Sequence, residues 1–305
     1  MNLNRSCQGT LLVQYFLSLC QIQKRISLVH SRYSLLARPS YPPESIASRK
    51  RKFDLSRFCK RSLAYPFARL SEYGLLFNEI PGCHVVLCGL PRSGTTLFQA
   101  LTRTCIDRIQ TFRKERGALD AAWFAVKRGS YLFTKRPPDL FQIEEIRNFY
   151  ANRKMDLRLL LSCRDPLDVL TSFHKMQPGE FYISPDVWRA YNEHWKWAEQ
   201  FPDVLSVRYE DLVRTPREVE ARMEQHIGWK TKRHFEEFHQ HVPKNFDTRS
   251  LNGVRPLDQI TVQRWKNGKF HWRLRELVER ELPELPERLI QMGYESDDRW
   301  ISELT

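Results

Sequence analysis

Val85-Val86-Leu87-Cys88-Gly89-Leu90-Pro91-Arg92-Ser93-Gly94-Thr95-Thr96-Leu97 decides the fold of this chain. An apolar run of strand length enters a loop with glycines at 89 and 94, and an apolar helical pattern leaves it at Thr95. That succession reads as strand, anion-holding loop, helix. The glycines have the spacing of a Walker A loop, G-x-x-x-x-G-K-[ST], yet Thr95 stands where its lysine belongs. Without that lysine nothing reaches the β- and γ-phosphates of a nucleoside triphosphate. The backbone N–H groups of the loop and the helix N-terminus can still hold an anionic oxygen cluster. Arg92 adds a forked cation inside the same loop. The stretch is built for an anion, and its missing lysine argues against ATP.

Outward from the loop, apolar runs alternate with helical patterns. Residues 84–89 predict the first strand and 95–106 its helix. A short apolar run at 131–134 ends on Lys135-Arg136-Pro137-Pro138, where two prolines stop any regular element. A charged helical pattern over 140–150 leads to a second buried strand at 157–163, which closes on Arg164-Asp165-Pro166. Helical periodicity follows over 167–176 and, rich in aromatics, over 186–200. A third apolar run at 204–207 precedes helical patterns over 216–227 and 272–292, the last crossed by Pro283 and Pro286 and so read as two helices. Strands alternating with helices predict a three-layer α/β/α fold around a central parallel sheet, the P-loop nucleotide-binding architecture. Ligands of such sheets sit at the carboxyl ends of the strands. Arg92, Lys135, Arg164 and Tyr209 each fall at such an end, which predicts one shared site.

With 305 residues the chain is long enough for one large core, assigned to 66–305, with 1–65 as an N-terminal appendage. The appendage carries the proline-rich 38–43 and the basic run 49–52, read as a linker with a solvated charge cluster. The formal net charge of +13 favours anionic partners: nucleotides, acidic glycans, nucleic acid or a membrane surface. Seven cysteines (Cys7, Cys20, Cys59, Cys83, Cys88, Cys105 and Cys163) form no C-x-x-C pair and read as small buried hydrophobes in a reducing compartment. The apolar stretch 11–22 is too short and too polar to span a bilayer, so the expected location is the cytoplasm, with a membrane-anchored Golgi form as the alternative. No metal-ligand spacing is present, and no metal is expected.

The second polar cluster is Arg164-Asp165-Pro166-Leu167-Asp168-Val169-Leu170-Thr171-Ser172. An arginine fork at a strand end and a hydroxyl from the following helix suit a phosphate monoester. Equally, Arg164 can pair with Asp168 and Ser172 can be an ordinary helix residue.

Taken together these segments resemble the sulfotransferases that use 3′-phosphoadenosine 5′-phosphosulfate. Gly89 to Leu97, quoted above, is similar to that family's 5′-phosphosulfate loop in its arginine form. Arg164-Asp165-Pro166, Asp168 and Ser172 resemble its 3′-phosphate motif. Arg208-Tyr209-Glu210-Asp211-Leu212 resembles the segment after the next core strand, and Val262-Gln263-Arg264-Trp265-Lys266 the basic C-terminal nucleotide segment. The resemblance implies that Arg92, Ser93, Gly94, Thr95 and Thr96 hold the 5′-phosphosulfate while Arg164 and Ser172 hold the 3′-phosphate. It places Tyr209 beside the nucleotide, with Arg264 and Lys266 closing over the 3′-phosphate side. Trp265 is either a core aromatic or a base-stacking one, and Arg264 and Lys266 can also be an exposed helix face.

Lys135 resembles the family's strand-end K-x-P lysine near the leaving oxygen; read alone, it is a surface lysine before a proline turn. Pro137 occupies the position of the histidine that cytosolic small-molecule members use as base. Tyrosylprotein-type members place a glutamate about twenty residues beyond the loop arginine, and Glu115 falls near that distance. The same Glu115 can belong to a surface ion-pair cluster with Arg113, Lys114 and Arg116, and His174 is a second candidate. The implied activity is sulfuryl transfer to a hydroxyl or amine, with an acidic glycan or a small metabolite as acceptor and no metal. A P-loop kinase or NTPase is the first alternative, opposed by Thr95 and by Arg164 at the strand end where a magnesium-binding aspartate belongs. A basic nucleic-acid binder is the second, but no zinc-finger, RNA-recognition or helix-turn-helix signature accompanies the charge.

Overall fold

The computed structural model describes residues 39, 82–122, 131–151, 153, 155–174, 177–244, 246, 251 and 253–304. Apart from Pro39, the appendage 1–65 with its stretch 11–22 and basic run 49–52 lies outside the described residues, as do the domain start at 66 and Cys7, Cys20 and Cys59. Five strands are described: β1 (Cys83–Gly89), β2 (Ile109–Gln110), β3 (Tyr131–Lys135), β4 (Asp156–Cys163) and β5 (Val204–Arg208). They form one sheet of order β2-β3-β1-β4-β5, and every pairing is parallel. The helices used below are α1 (Thr95–Cys105), α2 (Ala118–Ala122), α3 (Ile143–Tyr150), α4 (Pro166–Leu170), α5 (Pro185–Glu199), α6 (Tyr209–Arg214) and α7 (Pro216–Ile227).

The strands read as largely apolar runs because both faces of the sheet are covered. Val85 and Leu87 of β1 and Leu160 of β4 pack with Phe98 and Leu101 of α1 and with Val219 and Met223 of α7. Their neighbours Val86, Cys88, Leu159 and Leu161 point the other way, into Ile143 and Ile146 of α3 and Trp188 and Trp195 of α5. The period-two alternation of a strand thus feeds two cores, and the architecture is the expected α/β/α sandwich. Cys83, Cys88, Cys105 and Cys163 are free and buried, and burial pushes the Cys83, Cys105 and Cys163 thiols up to about 12. They are packing groups, as read from the sequence. No helix among the described residues is long and apolar enough to cross a membrane.

Three sequence expectations change. The prolines after Lys135 end β3 but open a 3₁₀ turn, Pro137–Gln142, because proline fits the first helical position where no N–H is needed. The helix expected over 140–150 therefore becomes that turn followed by α3. The helix expected over 167–176 stops at Leu170, capped at its start by the Asp165 carboxylate on the Leu167 N–H at 2.9 Å. The Thr171 hydroxyl bonds back to the Leu167 carbonyl at 2.7 Å, and the chain turns into a bridge between Phe173 and Phe181. Those two rings stack with centroids 5.0 Å apart. The apolar spacing that suggested a longer helix belongs to a hairpin, and Ser172 lies at its root, beyond the helix.

His84 is wholly buried in β1, with Tyr150 Oη on its Nδ1 and Thr134 Oγ1 2.8 Å from its Nε2. Burial lowers its pKa from 6.5 to about 3, so the ring is neutral in the folded chain. The unfolded chain takes up a proton near 6.5 that the native state refuses, so stability falls as pH drops from 6.5 towards 3. The advantage of wild type over His84→Gln is expected to shrink by up to about 1.4 kcal/mol per pH unit across that window. Urea melts between pH 7 and 4 measure it; a constant gap would contradict the assignment.

Candidate active site

The loop after β1 leaves the sheet through backbone that only glycine tolerates. Gly89 has φ 126, and a Cβ there would stand 2.2 Å from the Ser162 carbonyl oxygen. The Leu90 N–H donates to that same carbonyl at 3.0 Å, so the loop is pinned to β4 as it turns. The Ser93 hydroxyl donates to the Leu90 carbonyl and lies 2.7 Å from Ser162 Oγ, with Ser93 fully buried. Its side chain braces the loop from within. Gly94, φ 78, then caps α1.

Gly94 also sits against an aromatic wall. A Cβ on it would meet Tyr209 Cδ2 at 2.4 Å, and that ring cannot retreat freely. Tyr209 Oη is 2.6 Å from Thr261 Oγ1, and the Arg164 guanidinium lies over the ring at 4.6 Å. Gly94→Ala is expected to cost on the order of 1–3 kcal/mol from left-handed strain alone, with a further loss as Tyr209 shifts. Thermal melts measure the first loss; adenosine 3′,5′-bisphosphate titration measures the second, and unchanged binding would separate Tyr209 from the nucleotide.

Two polar clusters converge at the carboxyl ends of the strands. At the end of β3, Lys135 Nζ lies 2.7 Å from Glu115 Oε1 and donates to Thr96 Oγ1 at 3.3 Å. Lys135 is buried although it follows a strand and precedes prolines, while Glu115 is half exposed. The two residues chosen separately from the sequence are therefore partners. Thr95, the first residue of α1 and the chain neighbour of Thr96, is buried.

The second cluster gathers around Ser172. Arg92, in left-handed backbone at φ 66, donates from Nε to Ser172 Oγ at 2.8 Å, and the Tyr182 ring lies 5.2 Å from its guanidinium. Arg92 thus points to the hydroxyl, whereas the resemblance assigned it to the loop's reactive end. Burial lowers its pKa below the ordinary arginine range, and the charges of Arg164 and Arg264 push the same way. Arg164 makes the ion pair with Asp168 that its sequence allowed. Nη2 pairs with Asp168 Oδ2 at 3.1 Å and donates to the Thr261 carbonyl, while Nη1 reaches the Arg92 carbonyl at 3.5 Å. Its Nε stays buried with no hydrogen-bond partner.

Beneath Arg264 the chain is clamped. Trp265 donates from its backbone N–H to Asp168 Oδ1 at 3.2 Å and from Nε1 to Asp165 Oδ2 at 3.0 Å. It is almost wholly buried, so the core reading holds for this ring. Burial raises the Asp165 carboxyl to about 7, with the Asp168 charge pushing the same way. The exposed neighbours diverge: Arg264 acts on Arg92, but Lys266 lies 5.3 Å over the Trp265 ring and acts on Glu295. His174 stacks on Tyr182 at 5.2 Å, on the Arg92 side of the site. Thr261 and Tyr182 were not legible as site residues; neither lies in a motif, and only tertiary contact brings them in.

Comparison with known proteins follows the same outline. The model of the sulfotransferase domain family matches residues 83–268, more than half of the chain. Among solved structures, the sulfotransferase domain from the Synechococcus PCC 7002 olefin synthase is 15% identical, with 62% of this chain and 88% of that one covered at a TM-score of 0.44. The sulfotransferase domain from the curacin biosynthetic pathway is 16% identical, with 71% and 99% covered at a TM-score of 0.46. No curated protein matches the chain.

Proposed function

The chain belongs to the sulfotransferase domain family, and from that premise we propose that it moves a sulfuryl group from 3′-phosphoadenosine 5′-phosphosulfate to an acceptor hydroxyl or amine. The observation that carries this reading is the corner at Ser172. Arg92 donates to Ser172, Arg164 reaches the Arg92 carbonyl, the charges of Arg164 and Arg264 act on Arg92, and one buried guanidinium N–H among them, Arg164 Nε, lacks a partner. A buried donor left open among crowded positive charge suits a phosphate, whose oxygens take charge-assisted hydrogen bonds from arginine forks. In this reading Arg164, Ser172 and Arg92 hold the 3′-phosphate, and Tyr209 lies beside the nucleotide. The loop at Gly94 with Thr95 and Thr96 takes the 5′ end, and Arg264 covers the corner.

When bound, the donor supplies an activated sulfur whose bond to the bridging phosphate oxygen breaks as the bond to the acceptor forms. Glu115 receives the acceptor proton, within a hydrogen bond of Lys135. Lys135 and the loop amides neutralise charge as it develops on the departing phosphate oxygen. The net charge of +13 favours an acidic carbohydrate over a neutral acceptor. The free buried thiols suit action in the cytoplasm.

Incubation with the ³⁵S-labelled donor and pools of glycans, phenols and amines tests the proposal. Transfer to at least one pool is expected, with adenosine 3′,5′-bisphosphate as a competitive inhibitor against the donor. Bisphosphate binding without transfer in any pool, or preference for ATP, would overturn it.

A further inference from the structure

Glu115 sits in a turn, residues 111–117, with no helix or strand of its own. A base placed on such a segment keeps its geometry only if something else holds the segment. At one end, Gln99 of α1 donates from Nε2 to the Phe112 carbonyl at 2.6 Å. The other end rests on Asp139, a fully buried acid of the 3₁₀ turn that follows Lys135. Asp139 Oδ2 accepts the Ala118 N–H at 2.8 Å, and Oδ1 is 3.0 Å from Arg136 Nε. The Arg136 guanidinium lies flat enough on Gly117 that a Cβ there would meet Nη1 at 2.7 Å. Arg136 is itself tied to β1 by its N–H on the Leu87 carbonyl at 3.1 Å.

A buried carboxylate is costly unless its partners repay its desolvation. Asp139 has an ion pair and a backbone N–H, and both belong to the frame around Glu115. The same short stretch therefore supplies Lys135 from its strand end and, four residues on, the acid that fixes the lysine's partner. We propose that Asp139 is the positioning residue of the candidate base. Through the Ala118 N–H and the Arg136 guanidinium packed on Gly117, it holds the turn so that Glu115 stays against Lys135. The inference rests on the proposed function in one respect only, that Glu115 takes the acceptor proton.

The test is a double-mutant cycle with a structural readout. Asp139→Ala is expected to lower kcat by about 30–100-fold, the scale of a misplaced catalytic group, with adenosine 3′,5′-bisphosphate affinity unchanged within twofold. Asp139→Asn keeps an acceptor for the Ala118 N–H and should recover part of the loss. In a Glu115→Gln background, Asp139→Ala should cost less than twofold more, since residues that act as a unit are not additive. Full additivity, or a parallel loss of bisphosphate affinity, would overturn the proposal. Hydrogen exchange of residues 112–118 supplies a reading independent of turnover: faster exchange in Asp139→Ala is expected, and unchanged protection would overturn the proposal even in an inactive protein. If Asp139→Ala fails to fold, Gly117→Ala, which displaces Arg136, should give the same selective loss of kcat. Failure of the Glu115 assignment has its own signature, an unchanged kcat in Glu115→Gln alone.

Discussion

Lys135→Ala is expected to lower kcat by about 10²–10³-fold, the range for removing one fixed donor from a developing oxyanion. Donor affinity should change by much less, because the lysine's contribution grows as charge accumulates on the leaving oxygen and is small before that. The setting explains the size of the effect. Lys135 is buried at the end of β3, and its ammonium is fixed from two sides by Glu115 at 2.7 Å and Thr96 at 3.3 Å. A charge held in place with little water around it acts at lower effective dielectric than one on a surface. Truncation also releases Glu115, so the variant loses both a cation and the anchor of the candidate base. Steady-state kinetics against donor concentration, with direct titration of adenosine 3′,5′-bisphosphate, give the two quantities separately. A loss confined to donor affinity would move Lys135 from the chemical step to donor binding.

Arg164→Ala is expected to weaken adenosine 3′,5′-bisphosphate by about 10–100-fold, the worth of one or two hydrogen bonds to a charged group, while adenosine 5′-phosphate changes little. Only the 3′-phosphate distinguishes the two nucleotides, and Arg164 Nε is a buried donor with no hydrogen-bond partner. The side chain also supports its surroundings through Asp168, the carbonyls of Arg92 and Thr261, and the Tyr209 ring. Arg164→Lys therefore serves as the control. Lysine keeps the charge near Asp168 but not the fork, so it should preserve the melting temperature better than alanine and still lose bisphosphate discrimination. Equal losses for both nucleotides, measured by calorimetry, would remove Arg164 from the 3′-phosphate corner.

The sequence made the centre of this molecule legible and its edges less so. Strands at 84–89, 157–163 and 204–207 were readable because cover on both faces leaves them largely apolar, with His84, Arg158, Ser162 and Ser206 as the polar exceptions. Strand ends were readable for the opposite reason, since the runs 131–134, 157–163 and 204–207 stop abruptly on Lys135, Arg164 and Arg208. β2 has two residues, Ile109 and Gln110, and no period can be seen in two positions. The turn at 171–174 misled because Leu167, Leu170 and Phe173 share helical spacing, and only the Phe181 ring across the hairpin shows that the third belongs to another element. Side-chain direction was the least accessible. A left-handed φ at a non-glycine residue turns Arg92 towards Ser172, and nothing in the residue's identity announces that torsion. Lys266 differs from Arg264 by two positions, yet it lies over the Trp265 ring while Arg264 acts on Arg92.

The clamp at Trp265 also bears on how the chain is made. All five described strands are complete by Arg208. Yet the contacts that bring Thr261 to Arg164 and Trp265 to Asp168 and Asp165 span 97, 97 and 100 residues. The strands are therefore made first, α7 that covers one face of their sheet next, and the segment that closes over Arg164, Asp168 and Asp165 only when residues 261–265 emerge.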